Sequence, residues 1–415
     1  MAVTAPATAS EDIPSAAGIP PSCLHEVFRA AEVWEQKTGR PVNRLHVGEP
    51  SYRMPTVAAE ALTKAVADGA TSYTSAEGML SLREALTAKL ETENGHRTNP
   101  EHVFVTPGSC QGLSALLMSI ATPGAELLLP ELHWPIHLQQ ALLAGFRPVF
   151  YPVRDDLGVD VERIAEAAGP RTRAILVNTP SNPTGAVLGE DELGRLLALA
   201  RERGWHVISD EAYEHFLYDG EHVSLSALEK DLPADQRRVF STYSFSKSYG
   251  MTGCRLGYVV APNKATADAF RIVQEASIIA PATPVQYAGL AALQAHEDVA
   301  RNRAMIRAAR DETLPMLVDV GLLDRLPAGG WYALLDVRRT GLEASRFADE
   351  LLAATDVAVA PAKGFALLPV VDDAGRVVEV RSNPISRHLV RVAFCGDPDL
   401  LREGVRAMVD FVSAR

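Results

Sequence analysis

Ser244-Phe245-Ser246-Lys247-Ser248-Tyr249-Gly250, continued by Met251-Thr252-Gly253-Cys254-Arg255, is the stretch on which the fold turns. It follows a strand-like run, Arg238-Val-Phe-Ser-Thr-Tyr243, and sets one lysine among small hydroxyl residues and glycines. A lysine in so crowded a turn is not a solvated surface charge. Its amine can be tuned by burial and neighbours to form a Schiff base. A lysine with that task needs partners at the ends of other strands.

Working outward, strand-like and helix-like runs alternate. Strands are expected at 102–106, 126–130, 147–153, 173–178, 205–210, 238–243 and 255–260, with helices at 109–121, 135–144, 159–168 and 190–203 between them. Short apolar strands alternating with helices predict an α/β fold: a mostly parallel, seven-stranded sheet sandwiched by helices. Before it come a short strand at 44–48 and helices at 55–68 and 79–93, where Leu82, Leu86 and Leu90 recur at helical spacing. Helices fill about 263–312. The remainder mixes strands (331–337, 357–360, 388–394) with helices (343–354, 398–412). The expected division is a large domain over 50–300, a smaller α+β domain built from 21–49 with 301–415, and a flexible Ala/Pro/Ser/Thr-rich tail over 1–20.

Two domains also suit 415 residues. A net charge of −12 argues against a nucleic-acid surface. Four scattered cysteines (Cys23, Cys110, Cys254, Cys395) form neither a CxxC pair nor zinc-like spacing, so no metal is expected and a cytoplasmic location is. No run is long enough to span a membrane, and the N-terminal tail lacks the basic and apolar regions of a signal peptide.

In an open α/β sheet, ligands collect beyond the carboxyl ends of strands. Polar clusters fall there. Thr106-Pro-Gly-Ser-Cys110 ends a strand and opens a helix, which suits a phosphate, although taken alone Ser109 reads as an ordinary N-cap. Asn178-Thr-Pro-Ser-Asn182-Pro-Thr-Gly185 reads as a turn, which leaves its two asparagines unexplained. Asp210-Glu211-Ala-Tyr213 follows another strand end, where the acid could merely cap a helix.

Asn182-Pro-Thr-Gly185, Asp210-Glu211-x-Tyr213, and Ser244-x-Ser246-Lys247 with Arg255, in that order, resemble the fold-type I pyridoxal-phosphate enzymes, closest to the aspartate-aminotransferase-like branch (class I/II). The resemblance runs from about residue 22 to the end. It implies pyridoxal 5′-phosphate as cofactor, carried by Lys247 as an internal aldimine. It implies transfer of an amino group from an L-amino acid to a 2-oxo acid by ping-pong chemistry. Lys247, once freed, would move the proton between Cα and the cofactor. Asp210 would pair with the ring nitrogen, Asn182 and Tyr213 with the ring oxygen, and Trp134 would stack on the ring. Ser109, Cys110, Ser244, Ser246 and Arg255 would hold the phosphate. Tyr73 would reach the phosphate of a neighbouring subunit, making the enzyme a homodimer with shared sites. Arg391 would grip the substrate carboxylate as a fork, with Gly48 contacting it through its backbone.

Two departures matter. Relatives that prefer dicarboxylates can carry a lysine where this chain has Cys110. The 366–388 segment is longer than the usual turn and reads as a hairpin around Asp372-Asp-Ala-Gly375; it could overhang the substrate pocket or be a tolerated surface insertion. Expected pocket walls (His133, Trp331, Tyr332, Ile278, Ile279, Phe365) are mostly apolar and aromatic, which favours a neutral or aromatic donor, with a bulky basic one left open. Ser244-x-x-Lys247 also fits the S-x-x-K of serine β-lactamases. But Lys37-Thr38-Gly39 precedes it rather than follows, and no Ser-Asp-Asn comes after. A regulator built on this fold would need a basic helix-turn-helix, which the short tail does not offer. The remaining alternative shares the cofactor: a β-lyase, or a specialised amino-acid oxidase or cyclase.

Overall fold

The computed structural model describes residues 15–372 and 375–415. Most of the predicted tail (1–14), and Asp373 and Ala374 of the predicted hairpin turn, lie outside the described residues. The strands, in chain order, are β1 (Asn43–Arg44), β2 (Val103–Thr106), β3 (Glu126–Pro130), β4 (Arg147–Tyr151), β5 (Thr172–Asn178), β6 (His206–Asp210) and β7 (Val239–Ser244), then β8 (Gly257–Val260), β9 (Tyr332–Asp336), β10 (Val357–Ala358), β11 (Ala360–Pro361), β12 (Leu367–Val371), β13 (Val377–Ser382) and β14 (Leu389–Ala393).

The chain is an α/β protein. Its central sheet has seven strands in the order β2-β8-β7-β6-β5-β3-β4, and only β8 runs antiparallel to its neighbours. Both faces are covered, so side chains alternate between two cores. Leu127, Leu129, Leu176, Ile208 and Phe240 pack on one side against helices Gly108–Ile120 and Lys264–Ile278. Leu128, Ile175, Val177, Val207 and Val239 pack on the other, against helix Glu190–Arg203. That is why these strands read as unbroken apolar runs. Each such side chain contributes about 1.5–3 kcal/mol by leaving water.

Helix Glu190–Arg203 shows how the sequence sets the ends. Glu190, Asp191 and Glu192 sit at the positive end of its dipole, and the Gly189 N–H donates to Glu192 Oε2 at 3.1 Å. Gly204 closes it in a left-handed conformation, φ 71°.

Register brings the functional strand ends level. Asn178 pairs with Asp210, Asp210 with Thr242, and Gly257 with both Ser244 and Thr106. A second, antiparallel sheet has the order β11-β14-β9, and β1 pairs in parallel with β10, so the N-terminal segment joins the C-terminal layer. Tyr213, Phe216 and Tyr218, which follow β6 of the large sheet, are built into this second core with Trp331 and Leu335. The predicted strand at 44–48 shrinks to β1 because the chain turns at Leu45, whose carbonyl accepts from the Ala393 N–H. No helix among the described residues is long and apolar enough to cross a membrane.

None of the described residues of the β12–β13 hairpin lines the pocket. The hairpin lies along the β4 edge, where Arg147 Nη2 donates to the Asp372 carbonyl at 2.7 Å, and Leu367, Val371 and Val377 pack on the sheet core beside Ile19. Its apolar alternate positions seek that core, and this directs it away from the strand ends.

Candidate active site

A cavity of about 480 Å³ opens beyond the carboxyl ends of β2, β5, β6 and β7. Lys247 reaches it from the short helix Phe245–Ser248. Ser244 caps that helix, accepting the Ser246 N–H at 3.2 Å, and the Tyr52 hydroxyl donates to the Lys247 carbonyl at 2.7 Å. The lysine Nζ donates to the Gly48 carbonyl at 3.2 Å.

Asp210 ends β6 and is 4% exposed. Its Oδ2 lies 2.9 Å from His137 Nε2, while its Oδ1 accepts from the Ala212 N–H and the Thr242 hydroxyl. Asn178, level with Asp210, bridges two loops. Its Nδ2 donates to the Asp210 carbonyl at 3.0 Å and its Oδ1 accepts the Asn182 N–H at 2.8 Å. Tyr213 and Trp134 also line the cavity. Burial, then the Tyr332 hydroxyl beside it, push the Tyr213 phenol well above its ordinary pKa, so it stays a donor.

One end of the cavity is built to take an anion. Helix Gly108–Ile120 starts after Pro107 with no side-chain cap, so the amides of its first turn are left for a ligand. The capping role open to Ser109 is therefore not the one it takes; it lies inside the first turn. Arg255 stands beside these amides with a left-handed backbone, φ 51°, unusual outside glycine. Its Nη1 donates to Ser246 Oγ at 3.4 Å and to the Thr252 carbonyl at 2.7 Å. Two glycines make the approach possible. A Cβ on Gly108 would lie 2.5 Å from Arg255 Nη2, and one on Gly257 would lie 2.5 Å from the Ser109 nitrogen. Ser109, Cys110, Ser244, Ser246 and Arg255 all line this end.

Arg391 on β14 stands one layer back, 1% exposed. Its guanidinium lies between the rings of Tyr332 (4.2 Å) and Phe365 (4.6 Å), donating to Asn182 Oδ1 at 3.0 Å and to the His46 carbonyl at 2.7 Å. Gly48 has no room for a side chain, since a Cβ there would meet the Tyr332 ring.

A family model described as aminotransferase class I and II matches residues 40–407. The chain belongs to the class I and II aminotransferases. A probable aspartate/prephenate aminotransferase of Thermus aquaticus is 35% identical, over 81% of this chain and 87% of its own length. An arginine–pyruvate transaminase of Pseudomonas aeruginosa is 31% identical, over 89% and 93%. The solved aspartate aminotransferase of Thermus thermophilus with maleate superposes with a TM-score of 0.85 at 30% identity, over 97% of this chain and 99% of that one. The protein is thus an aminotransferase, a transferase of amino groups between amino and keto acids.

Of the residues singled out from the aminotransferase sequence, eleven line the cavity: Gly48, Ser109, Cys110, Trp134, Asn182, Asp210, Tyr213, Ser244, Ser246, Lys247 and Arg255. Arg391 touches it through Asn182. Tyr73 does not reach it; it is 80% exposed on the surface. Of the expected walls only Tyr332 lines it. His133 is buried, its Nδ1 3.0 Å from the Pro130 carbonyl, and Phe365 lies under Arg391. Ile279 is exposed at the end of its helix, and Trp331 lies behind Lys247. Sequence reasoning missed Phe28 and Val47 at the cavity, and the parts played by His137 and Asn178. His137 had a signal. It lies three positions after Trp134 at a helix start, hence on the same face.

Proposed function

We propose that this aminotransferase works with pyridoxal 5′-phosphate bound in the cavity, as a cytoplasmic homodimer. The observation that carries the proposal is the single cavity joining a partly buried lysine, a buried acid and an uncapped helix start with an arginine. The cradle fits the group. Gly108 and Gly257 let Arg255 and the β8 backbone close on the helix start, so that the guanidinium and the first-turn amides could serve one anion. When bound, the cofactor supplies an electron sink that loosens the bonds at the substrate Cα.

The chain's own groups do the rest. Lys247 is the attachment point and, once free, carries the proton at Cα. Asp210, fixed by His137, would pair with the ring nitrogen. Asn182 and Tyr213 would donate to the ring oxygen, and Trp134 would stack on the ring. Arg391, with its planar fork already oriented by Asn182 and His46, receives the substrate carboxylate beside Gly48. The exposure of Tyr73 supports its reaching the phosphate site of a second copy. The division into a large domain (50–300) and a small one (21–49 with 301–415) is supported by the β1–β10 pairing. Unpaired thiols at Cys23, Cys110, Cys254 and Cys395 support the cytoplasm.

Phe28, Val47 and Tyr332 give the mouth apolar walls, and Cys110 is a thiol whose pKa burial raises, not a cation. We therefore assign a neutral or aromatic amino donor, with a 2-oxo acid as acceptor. The test is the purified enzyme with an amino-acid panel, with and without 2-oxoglutarate. Turnover that requires the keto acid and favours aromatic or large neutral donors is expected. Ammonia or peroxide released without an acceptor would reject transamination, and a preference for aspartate would reject the donor class.

A further inference from the structure

Trp331 is fully buried yet stands beside the reactive lysine. The Lys247 Nζ lies 4.9 Å from the centroid of its ring and 5.6 Å from that of Tyr213. Both are within the roughly 6 Å over which a ring face attracts a cation. Among the described residues the only hydrogen bond of that Nζ is to the Gly48 carbonyl.

The indole is fixed by packing. Its Nε1–H has no partner among the described residues, against the habit of buried tryptophans. Tyr213 (5.3 Å, 77°) and Phe216 (5.1 Å, 58°) meet it at steep angles. The backbone is pinned too. The Gly330 N–H donates to the Phe216 carbonyl at 2.7 Å, and the Trp331 carbonyl accepts from the Phe394 N–H at 2.9 Å. Gly329 is required for this approach, because a Cβ there would lie 2.9 Å from the Phe216 carbonyl oxygen. The glycine pair thus delivers a rigid aromatic face to the lysine.

We propose that Trp331 is a positioning residue: its ring face, with the Gly48 carbonyl, is the resting place of the Lys247 ammonium whenever that amine is not covalently engaged. This rests on Lys247 being the attachment residue. The chemistry suits the task. A freed lysine has four rotatable bonds and must stay near the carbon it serves, or its effective concentration falls. A carboxylate would hold the cation but could also take its proton. A ring face holds the cation and accepts no proton.

The first test uses the full chain without cofactor, labelled with ¹⁵N-lysine. The Lys247 signal, assigned by its loss in Lys247→Met, is expected upfield of the other lysines through the indole ring current. It should move back toward them in Trp331→Leu and stay displaced in Trp331→Phe. The second test is steady-state turnover of the loaded enzyme. Trp331→Leu is expected to lower kcat about threefold to thirtyfold with the donor KM unchanged, and Trp331→Phe to recover most of the loss. A Lys247 signal among those of exposed lysines in the unsubstituted chain would overturn the proposal, and that measurement needs no soluble variant at position 331. So would equal losses in the Phe and Leu variants, or a loss confined to KM. If the cofactor were instead found attached to another lysine, the underlying assignment would fail while the ring-current result still stood.

Discussion

The anion cradle gives a prediction whose size follows from the coordinates. In Gly108→Ala the new Cβ would sit 2.5 Å from Arg255 Nη2 and 3.1 Å from its Cζ, at a backbone φ of +76°. The left-handed backbone costs about 1–2 kcal/mol for a residue with a side chain. The displaced guanidinium loses a charge-assisted hydrogen bond to the phosphate, worth about 1.5–3 kcal/mol, which weakens cofactor binding by about 10- to 150-fold. Gly124→Ala separates the two effects. Gly124 has φ +72° with nothing within 4 Å of the added carbon, so it bears the backbone cost alone. Chemical denaturation should therefore show a similar loss of stability in both variants. Titrating cofactor-free protein with pyridoxal 5′-phosphate, followed by absorbance, should show weakened binding only in Gly108→Ala. Wild-type affinity in Gly108→Ala, or equal weakening in both, would refute the placement of the phosphate between Arg255 and the helix start.

Arg391→Lys keeps the charge but cannot reach both Asn182 and the His46 carbonyl, so kcat/KM for amino donors is expected to fall about 10- to 150-fold with cofactor affinity unchanged; steady-state kinetics checks it, and a fall of less than threefold would contradict it. Replacing the β12–β13 hairpin by a short turn should leave the ranking of donors unchanged, since it lies on the β4 edge, and lower Tm by about 2–4 °C through lost packing at Val371 and Val377. Burial lowers the pKa of His222, but the hydrogen bond and charge of Glu211, 2.8 Å away, outweigh it and raise the pKa above the ordinary 6.5. The stability from that pair is complete below pH 6.5 and is lost as pH rises through the raised value. In denaturation between pH 6 and 9, His222→Gln should be less stable at pH 6 and show a smaller decline than the unsubstituted chain.

The strand ends were legible because strands buried on both faces carry unbroken apolar runs that stop where the chain turns polar. Val103–Thr106 does this, and so does His206–Asp210, which ends on Asp210 itself. Sheet order was not legible. That β8 lies antiparallel between β2 and β7 depends on which helices cover which face, and no local spacing encodes it. The hairpin was visible as alternation around a turn, but its docking on β4 depends on contacts with Arg147 and Ile19 more than two hundred residues away. The walls failed for a related reason. Aromatic rings such as His133 and Phe365 are drawn into the core, while Phe28 reaches the cavity from a distant helix. Asn178 stood out only as a second asparagine that a turn did not require. Its two hydrogen bonds, one donated to the Asp210 carbonyl and one accepted from the Asn182 N–H, needed the register of β5 against β6.

The central claim is that Lys247 carries the cofactor. The direct measurement is borohydride reduction of the protein loaded with pyridoxal 5′-phosphate, followed by tryptic peptide mapping with mass spectrometry. The claim predicts the adduct on Lys247 alone, with cleavage there blocked so that residues 239–255 leave as one peptide. An adduct on any other lysine, with 239–247 and 248–255 released unmodified, would contradict it.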